Sequence, residues 1–227
     1  MIAVIALFIL VSGASAMKSF SRQAVMKPFL EGNALKIISG LQNVNSINVE
    51  NVVVAAYTGG ASHVDIACDA ALVAMVKGKI NIPVCVSSVE PLKFVEAVRA
   101  GADMIEIGNF DSFYDKGIKF TAEDIIKMTQ ETRRLLPDVP LSVTIPHNLA
   151  LDEQITLAQR LQECGADIIQ TEGKYSANAA SLGIQEMIEL AAPTLASAFA
   201  LSRAVTIPVM CASGLTDVTA PLAISAG

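Results

Sequence analysis

The chain has 227 residues, of which 52% are hydrophobic and 17% charged, a composition typical of one folded domain that needs no disulfides to bury a core. Its formal net charge of −6, without a stripe of Lys or Arg, argues against a nucleic-acid-binding groove, so we expect no nucleic-acid partner. The four cysteines lie singly in apolar runs with no C-x-x-C pair, which argues against a zinc site or another metal centre. No sequence feature identifies a cofactor.

The chain begins with a pattern typical of a secretory signal peptide. Residues 2–11 form an apolar run that is too short to span a membrane, and Ala14 and Ala16 then match a signal-peptidase cleavage site. The basic residues that normally precede such a run are missing, so a buried or membrane-lying first helix is the alternative. We predict a signal-peptide-like segment over 1–16.

Residues 17–31 form a second predicted segment, which is transit-peptide-like or flexible. It contains Lys18, Arg22 and Lys27 among serines, with no acidic residue before Glu31, a composition typical of a transit peptide. A signal peptide followed by a transit peptide predicts delivery to a plastid (chloroplast), with no stable membrane insertion after processing. Secretion is the alternative, and it would expose the cysteines to oxidation.

From residue 32 onward, strand-like and helix-like segments alternate. The predicted strands are 35–39, 63–67, 83–87, 104–108, 141–145, 168–172 and 207–212. The predicted helices are 46–57, 69–78, 91–100, 121–136, 151–163, 183–203 with a break near Pro193, and 217–226. This order predicts an α/β fold with a parallel sheet, and at this spacing a (β/α)8 TIM barrel.

Seven of the eight βα units of such a barrel are present. Residues 223–227 resemble a helix end with its Gly, and no eighth strand follows them. We therefore predict an incomplete TIM-barrel domain over 32–227, truncated before strand 8 either in the protein itself or by an incomplete gene model. An open barrel leaves unpaired edges at its first and seventh strands, which is an aggregation hazard.

Alternate residues of a barrel strand point inward, and the outward ones must be apolar because they meet helices. In the fourth predicted strand, Ile105 and Ile107 take the outward positions and Glu106 points inward. The same alternation turns inward the side chains of Lys36, Asp65, Ser87, Thr144, Gln170 and Glu172. A buried lysine needs an anionic partner, so we expect Lys36 to pair with Asp65, Glu106 or both.

Two interpretations of this inward cluster stay open. It can perform acid–base chemistry or hold a Schiff-base lysine, since neighbours and desolvation tune proton affinity. It can also be a structural ion-pair network, because Lys36 and Glu106 lie early or midway in their strands, whereas catalysis occurs at carboxyl ends. The catalytic candidates are Glu106, Glu172, Lys36, Asp65 and His147. His147 is suited to shuttle a proton near neutral pH, or is a loop residue that bonds backbone.

The ligand-binding candidates follow or end the predicted strands. They are Ser39, Gly40, Ser87, Asn109, Thr144, Gln170, Thr171, Gly173, Ser213 and Gly214. The Ser213-Gly214 turn is suited to a phosphate, because these barrels bind phosphate at the loops after strands seven and eight, although it also matches an ordinary tight turn. Segment 109–114 gathers three aromatic residues, which form a lid over a ligand, a partner-binding patch or a packed loop.

A family resemblance extends almost continuously over residues 34–227. The matching segments are LKIISGL (35–41), VDIACD (64–69), PVCVSSVEP (83–91), GADMIEIGNFDSFY (101–114), LSVTIPHNLALDEQ (141–154), GADIIQTEG (165–173) and IPVMCASGL (207–215). They resemble the hypothetical chloroplast reading frame 23 (ycf-type) family of cyanobacteria and plastids. The resemblance implies an aldolase-type TIM barrel and a plastid location, but no assigned reaction. The chain departs from the family in its targeting extension and in stopping before the Gly/Val-rich last strand.

Two functions remain open from the sequence. One is an enzyme of the isomerase, epimerase or lyase class that acts on a small phosphorylated metabolite, with Glu106 or Glu172 as base. The other is a non-catalytic metabolite-sensing or partner-binding regulatory barrel, which fits a sequence without a nucleophile elbow or dinucleotide fingerprint. Both predict a small-molecule ligand, and a homo-oligomer is compatible with either.

Overall fold

The computed structural model describes residues 19–114, 116–177 and 179–227, so the predicted signal-peptide-like segment 1–16 lies outside the described residues. The strands are β1 (Lys36–Ile38), β2 (His63–Ala67), β3 (Val84–Ser88), β4 (Met104–Ile107), β5 (Leu141–Thr144), β6 (Ile168–Gln170) and β7 (Val209–Met210). The α-helices are α1 (Arg22–Leu30), α2 (Ser46–Thr58), α3 (Ala70–Lys77), α4 (Pro91–Arg99), α5 (Asp111–Tyr114), α6 (Ala122–Leu135), α7 (Leu151–Glu163), α8 (Ile184–Leu201) and α9 (Ala220–Ala226). None of these helices has the length and apolar character needed to cross a membrane.

Side-chain caps start several of these helices directly after a strand or turn. Asp69 follows β2, and its carboxylate accepts a hydrogen bond from the Leu72 N–H at 2.9 Å, which caps α3. Thr121 and Asp124 form a reciprocal capping box at the start of α6. Pro91 occupies the first turn of α4, where its missing N–H costs no helical hydrogen bond.

The seven strands are parallel and pair in chain order from β1 to β7, as the sequence predicted. Lys36 of β1 and Gln170 of β6 both contact Glu106 of β4 through their side chains. Neighbouring strands lie about 4.8 Å apart, so a flat sheet would hold β1 and β4 about 14 Å apart and prevent the first contact. The sheet is therefore curled into an open barrel. Among the described residues, β1 and β7 do not pair with each other.

The outward face of the sheet packs against the surrounding helices. Ile105 and Ile107 of β4 are completely buried in this core, together with Phe94 of α4 and Leu157 of α7. Each fully buried aliphatic side chain of this kind contributes about 1.5–3 kcal/mol. Glu106, between the two isoleucines, lies on the opposite face, so the predicted alternation of β4 is confirmed.

Helix α1 closes the amino-terminal end of the barrel. Its residues Val25 and Phe29 pack with Met104 of β4 and Ile168 of β6 in a second apolar cluster inside the sheet. His63 Nε2–H donates a hydrogen bond to the Val25 carbonyl at 3.0 Å, and the His63 ring packs at a tilt against Phe29 with the ring centroids 4.6 Å apart. The folded region thus includes 22–30, which the sequence analysis assigned to a transit-like or flexible segment. The prediction rested on the basic residues and serines of segment 17–31 and did not consider the apolar face of α1, whose residues have helical spacing.

Helix α8 differs from its sequence prediction because it continues through Pro193 without a break. Proline removes one backbone donor from a helix and normally kinks or ends it. Here buried residues lie on both sides of the proline, with Ala191 and Thr194 completely buried and Ala198 nearly so. This packing keeps both halves in one helix. The strands also end one or two residues earlier than predicted at β4, β5 and β6, which leaves polar residues such as Glu172 in loops.

Candidate active site

A buried ion cluster lies at the centre of the barrel. The Lys36 ammonium contacts the carboxylate of Glu106 and lies 3.3 Å from Asp65 Oδ2, and the three side chains are at most 1% exposed. Burial lowers the pKa of Lys36, but the charges of Glu106 and Asp65 outweigh it and the pKa is raised overall. Burial raises the pKa of Glu106, and the Lys36 ammonium opposes this shift. Lys36 therefore remains an ammonium, which supports the structural interpretation of this cluster.

The same cluster contains three side chains of the kinds that bind metal ions. Asp65, Cys85 and Glu106 offer ligand atoms within 4.8 Å of one another. However, the Lys36 ammonium already contacts both carboxylates, so the position that a cation would take is filled by a residue of the chain. Burial also raises the pKa of Cys85 well above its usual value, which disfavours the thiolate that metals bind. These residues do not fit a resident metal.

Polar side chains extend the cluster towards the carboxyl ends of the strands. The Gln170 amide donates to Glu106 Oε1 at 2.6 Å and to Thr144 Oγ1 at 3.1 Å. Ser87 Oγ donates to Asp65 at 2.7 Å and accepts from the Asn109 amide at 2.8 Å. Together with the contacts of Lys36, these bonds join inward residues from six strands, β1 to β6, and fix their side chains.

Asn109 reaches the cluster through a strained backbone. It has φ 60°, in the left-handed region that few non-glycine residues adopt. Gly108 precedes it, and a Cβ at Gly108 would overlap the Thr144 side chain, so only glycine allows β4 and β5 to approach this closely. This turn aims the Asn109 amide at Ser87 and Asp65, and strained positions of this kind cluster at functional sites.

A cavity of about 250 Å³ opens above the cluster at the carboxyl ends of the strands. Its walls are Ile38, Asn109, Asp111, Thr144, Gln170, Thr171, Glu172, Ala212 and Ser213. Three of these residues lie at the ends of β1, β5 and β6, and the others follow β4, β6 or β7 along the chain. Parallel barrels place their active sites at this end, so we refer to it as the mouth cavity.

Glu172 is an acidic residue in the wall of the mouth cavity. Its Oε1 accepts hydrogen bonds from the His147 backbone N–H at 3.1 Å and from the Tyr114 hydroxyl. Its Oε2 is buried and has no hydrogen-bond partner among the described residues. Burial raises the pKa of Glu172 to about 8, although hydrogen bonds from Tyr114 and from the backbone N–H groups of His147 and Phe110 act in the opposite direction. One oxygen is thus held in place, while the other is left for a ligand.

Tyr114 and His147 support this carboxyl group from above. Their rings meet edge to face with centroids 4.5 Å apart. His147 Nδ1 lies 2.6 Å from Ser176 Oγ, and burial lowers the pKa of its ring, so the imidazole is neutral at pH 7. Burial, followed by the Glu172 charge, raises the pKa of Tyr114, which keeps its hydroxyl protonated. His147 therefore contributes through its backbone N–H, and Tyr114 through a hydrogen bond.

The loops after β6 and β7 pack against α8. Thr171 Oγ1 lies 2.6 Å from Thr194 Oγ1, and a Cβ at Gly173 would approach the Thr194 nitrogen to 2.5 Å. A Cβ at Gly214 would overlap the Leu190 carbonyl. The contacts with α8 therefore explain both glycines without any ligand.

Ser213 lies in the loop after β7 with φ 70°, and its hydroxyl both donates and accepts a hydrogen bond. Its Oγ donates to Asp111 Oδ2 at 3.1 Å and accepts from the Lys174 N–H at 3.1 Å. Ser213 thereby joins the loops after β4, β6 and β7 across the mouth. This role was not anticipated from the sequence.

Three ligand candidates lie away from the mouth cavity. Ser87 lines a second cavity of about 430 Å³ beside the ends of β2 and β3, where Asp69, Glu90 and Lys93 give mixed charge. Ser39 accepts a hydrogen bond from the Asn43 amide at 3.0 Å in the turn after β1. Gly40 supplies the positive φ of that turn, +106°, so both have a local structural role.

Sequence reasoning missed Tyr114 and Ser176 as neighbours of the candidate residues. Tyr114 and Asp111 belong to the aromatic segment 109–114, whose role was left open. Phe110 of that segment is completely buried against Phe120, with ring centroids 4.9 Å apart. One aromatic of the segment is thus core and another contacts the site, a division that no spacing rule distinguishes.

Comparison with known proteins gives a family match over most of the chain. The family model described as "Protein of unknown function (DUF561)" matches residues 20–227. A curated relative, "Uncharacterized protein ycf23" from Cyanophora paradoxa, is 49% identical over 189 residues, which cover 83% of this chain and 77% of the relative.

Solved structures with the same fold are distant in sequence. The tetrameric deoxyribose phosphate aldolase from Aeropyrum pernix is 14% identical, with a TM-score of 0.61 over 92% of each chain. The phosphoenolpyruvate phosphomutase from Streptomyces platensis is 12% identical, with a TM-score of 0.57 over 84% of this chain and 72% of its own. At such low identity the similarity shows the aldolase-type barrel fold alone.

Proposed function

The chain belongs to the DUF561 family, and from this premise we propose that it is an enzyme that moves a proton on a small phosphorylated metabolite bound in the mouth cavity. The reaction class is isomerase, epimerase or lyase. One observation carries the proposal: Glu172 lines the cavity with one oxygen held by two donors and the other buried without a partner.

Glu172 has the properties that proton transfer near neutral pH requires. A general acid or base works best when its pKa lies near the working pH, and burial raises the pKa of Glu172 to about 8. Below this value Glu172 Oε2 donates its proton to a substrate oxygen. Once ionised, the carboxylate removes a proton from a carbon next to a carbonyl and returns it to the same or a neighbouring atom.

The ion cluster beneath the cavity narrows the chemistry. Schiff-base formation needs a neutral amine, whereas Lys36 is held as an ammonium by Glu106 and Asp65. We therefore assign Lys36, Asp65 and Glu106 to positioning: they fix Gln170, which lines the cavity. With Schiff-base chemistry set aside, the residues of the cavity wall favour proton transfer through the carboxyl group of Glu172.

The phosphate of the substrate would bind at the rim, close to the loops after β6 and β7. Phosphate sites of such barrels commonly use the loop after strand seven, and Lys174, next to Gly173, is a cation on this side of the mouth. Binding would require Ser213 to exchange its bond to Asp111 for one to the phosphate. The ligand candidates Thr171, Gly173 and Gly214 act here by shaping the rim.

We also propose a plastid location. It is supported by the ycf23 relatives, which are encoded in algal plastid genomes. The signal-plus-transit leader and the homo-oligomeric state stay predictions.

The test uses the full chain, Glu172→Gln and the control Glu163→Gln, which changes an exposed residue of α7. Each protein is incubated in D2O with three- to six-carbon sugar phosphates, and NMR follows deuterium uptake at carbons beside the carbonyl. We expect uptake with at least one compound, lost at least 100-fold in Glu172→Gln and retained in Glu163→Gln.

Two outcomes of this experiment contradict the proposal. Equal uptake in Glu172→Gln would show that this carboxyl group is not the proton carrier. Ligand binding without any uptake, measured as a thermal shift with the same compounds, would favour the sensing barrel instead of an enzyme.

A further inference from the structure

We propose that the floor of the mouth cavity recognises hydroxyl groups, so that a short, neutral polyol or hydroxycarbonyl segment enters first with a hydroxyl donating to Gln170 Oε1. The inference rests on the proposed function, because it names the chemistry of the ligand for the same cavity. It depends on two side chains of β6 and the loop that follows, Gln170 and Glu172.

The orientation of the Gln170 amide is set by its neighbours. Its nitrogen lies 2.6 Å from Glu106 Oε1 and 3.1 Å from Thr144 Oγ1. The Lys36 ammonium contacts the other oxygen of Glu106, and this ion pair favours the carboxylate, which only accepts hydrogen bonds, against the effect of burial. The Gln170 nitrogen must therefore face Glu106, and the amide oxygen must point the other way.

That amide oxygen is buried and has no hydrogen-bond partner among the described residues. Gln170 is 1% exposed and lines the cavity, so bulk water does not satisfy this acceptor. Buried acceptors without a donor are rare in folded proteins. The group that enters the cavity must bring an O–H or N–H.

Glu172 presents the second unpartnered oxygen of the same wall. Gln170 ends β6, Glu172 follows two residues later in the loop, and both residues line the mouth cavity. Because burial favours its protonated form, Glu172 Oε2 offers a proton to a ligand oxygen, while Gln170 Oε1 needs one. A hydroxyl both donates and accepts hydrogen bonds, so neighbouring hydroxyls or a hydroxycarbonyl unit match Gln170 Oε1 and Glu172 Oε2 together. An ammonium group only donates, so it could not accept the proton of Glu172.

Charge and size agree with this choice. The ionisable side chains among the described cavity walls are Asp111 and Glu172, both acidic, and the Lys36 charge below is neutralised by its two carboxylates. A carboxylate or phosphate on the floor would therefore lose its hydration without a free cation to pair with. The volume of about 250 Å³ is smaller than that of cavities for drug-sized ligands, so the segment is short.

The test compares matched ligands by calorimetry on the full chain. Glycerol, erythritol and ribitol phosphates are each paired with the alkyl phosphate of equal length, which keeps the phosphate and removes the hydroxyls. We expect at least one polyol phosphate to bind tenfold or more tightly than its alkyl partner. Gln170→Met should remove most of this preference, and the control Gln130→Met, at an exposed position of α6, should keep it.

The outcomes separate this inference from the proposed function. Equal binding of polyol and alkyl phosphates by the unmodified protein overturns the inference and leaves the proposed proton transfer standing. The absence of binding by every polyol phosphate overturns both the inference and the phosphorylated ligand. Because the comparison of ligands uses the unmodified protein, the inference stays falsifiable even if Gln170→Met does not fold.

Discussion

The carboxyl group of Glu172 is 4% exposed, and its burial has two linked effects. It destabilises the ionised form, because the hydrogen bonds that the carboxyl group accepts do not fully compensate for the lost hydration of the charge. It also shifts proton exchange into the pH range in which an enzyme works. The proposed chemistry of this residue therefore predicts a cost in stability that can be measured without a substrate.

That cost should appear as a pH-dependent free energy of unfolding. The pKa of Glu172 is about 8 in the folded protein against an ordinary value of 4.5, so the folded state holds the proton more tightly. The stability from this group is complete below pH 4.5 and is lost as the pH rises to 8. One pKa unit corresponds to about 1.4 kcal/mol, so urea denaturation should show a loss of a few kcal/mol between pH 5 and pH 9.

The comparison with Glu172→Gln isolates this contribution. The amide cannot ionise, so the variant should show a smaller loss of stability over the same pH range. If both proteins lose stability equally between pH 5 and pH 9, Glu172 does not carry the raised pKa.

Lys36 offers a second prediction at the scale of a residue. Lys36→Met would leave the Glu106 and Asp65 carboxylates buried without their cation, and breaking a buried ion pair in this way costs about 3–5 kcal/mol. The double variant Lys36→Met/Glu106→Gln should recover part of this loss, because it removes one of the uncompensated charges. Chemical denaturation of both variants measures the difference, and an unchanged stability in Lys36→Met would contradict the ion-pair assignment.

Among the elements, α1 shows where composition and periodicity lead to different interpretations. Its lysine and arginine residues match a transit peptide, yet Val25, Met26 and Phe29 are at most 9% exposed and fill the lower barrel. Sequence reasoning weighed the composition and overlooked the apolar face, because a nine-residue helix gives a weak periodic signal. The strands were easier to predict, since buried parallel strands combine apolar runs with Gly and Pro boundaries.

The packing of α1 predicts a sharp contrast between two neighbouring residues. Phe29→Ala should destabilise the fold by about 3–5 kcal/mol, the usual cost of truncating a buried aromatic residue. Leu30→Ala, at a position that is 70% exposed, should change stability by less than about 0.5 kcal/mol. Thermal unfolding of both variants gives the comparison. Similar stabilities would mean that α1 does not pack against the barrel.

For the molecule as a whole, the parity of the strands explains why much of the site was predictable. Strict alternation placed Lys36, Asp65, Glu106 and Gln170 on the inner face, and the curled sheet brings them together. The inward–outward alternation of side chains does not predict where a strand ends or how the loops cross the mouth cavity. The Tyr114 hydroxyl reaches Glu172 from a separate helix, and that contact depends on the three-dimensional path of the loop.

The proposed function requires Glu172 to hold a proton near neutral pH inside the mouth cavity. Carboxyl carbon NMR of the full chain with labelled glutamate measures it directly, with Glu172→Gln assigning the resonance. We predict a titration midpoint near 8, the raised pKa that burial produces. A midpoint near the ordinary value of 4.5 would contradict the claim, since the group would then be ionised and solvated at every pH at which proton transfer is proposed.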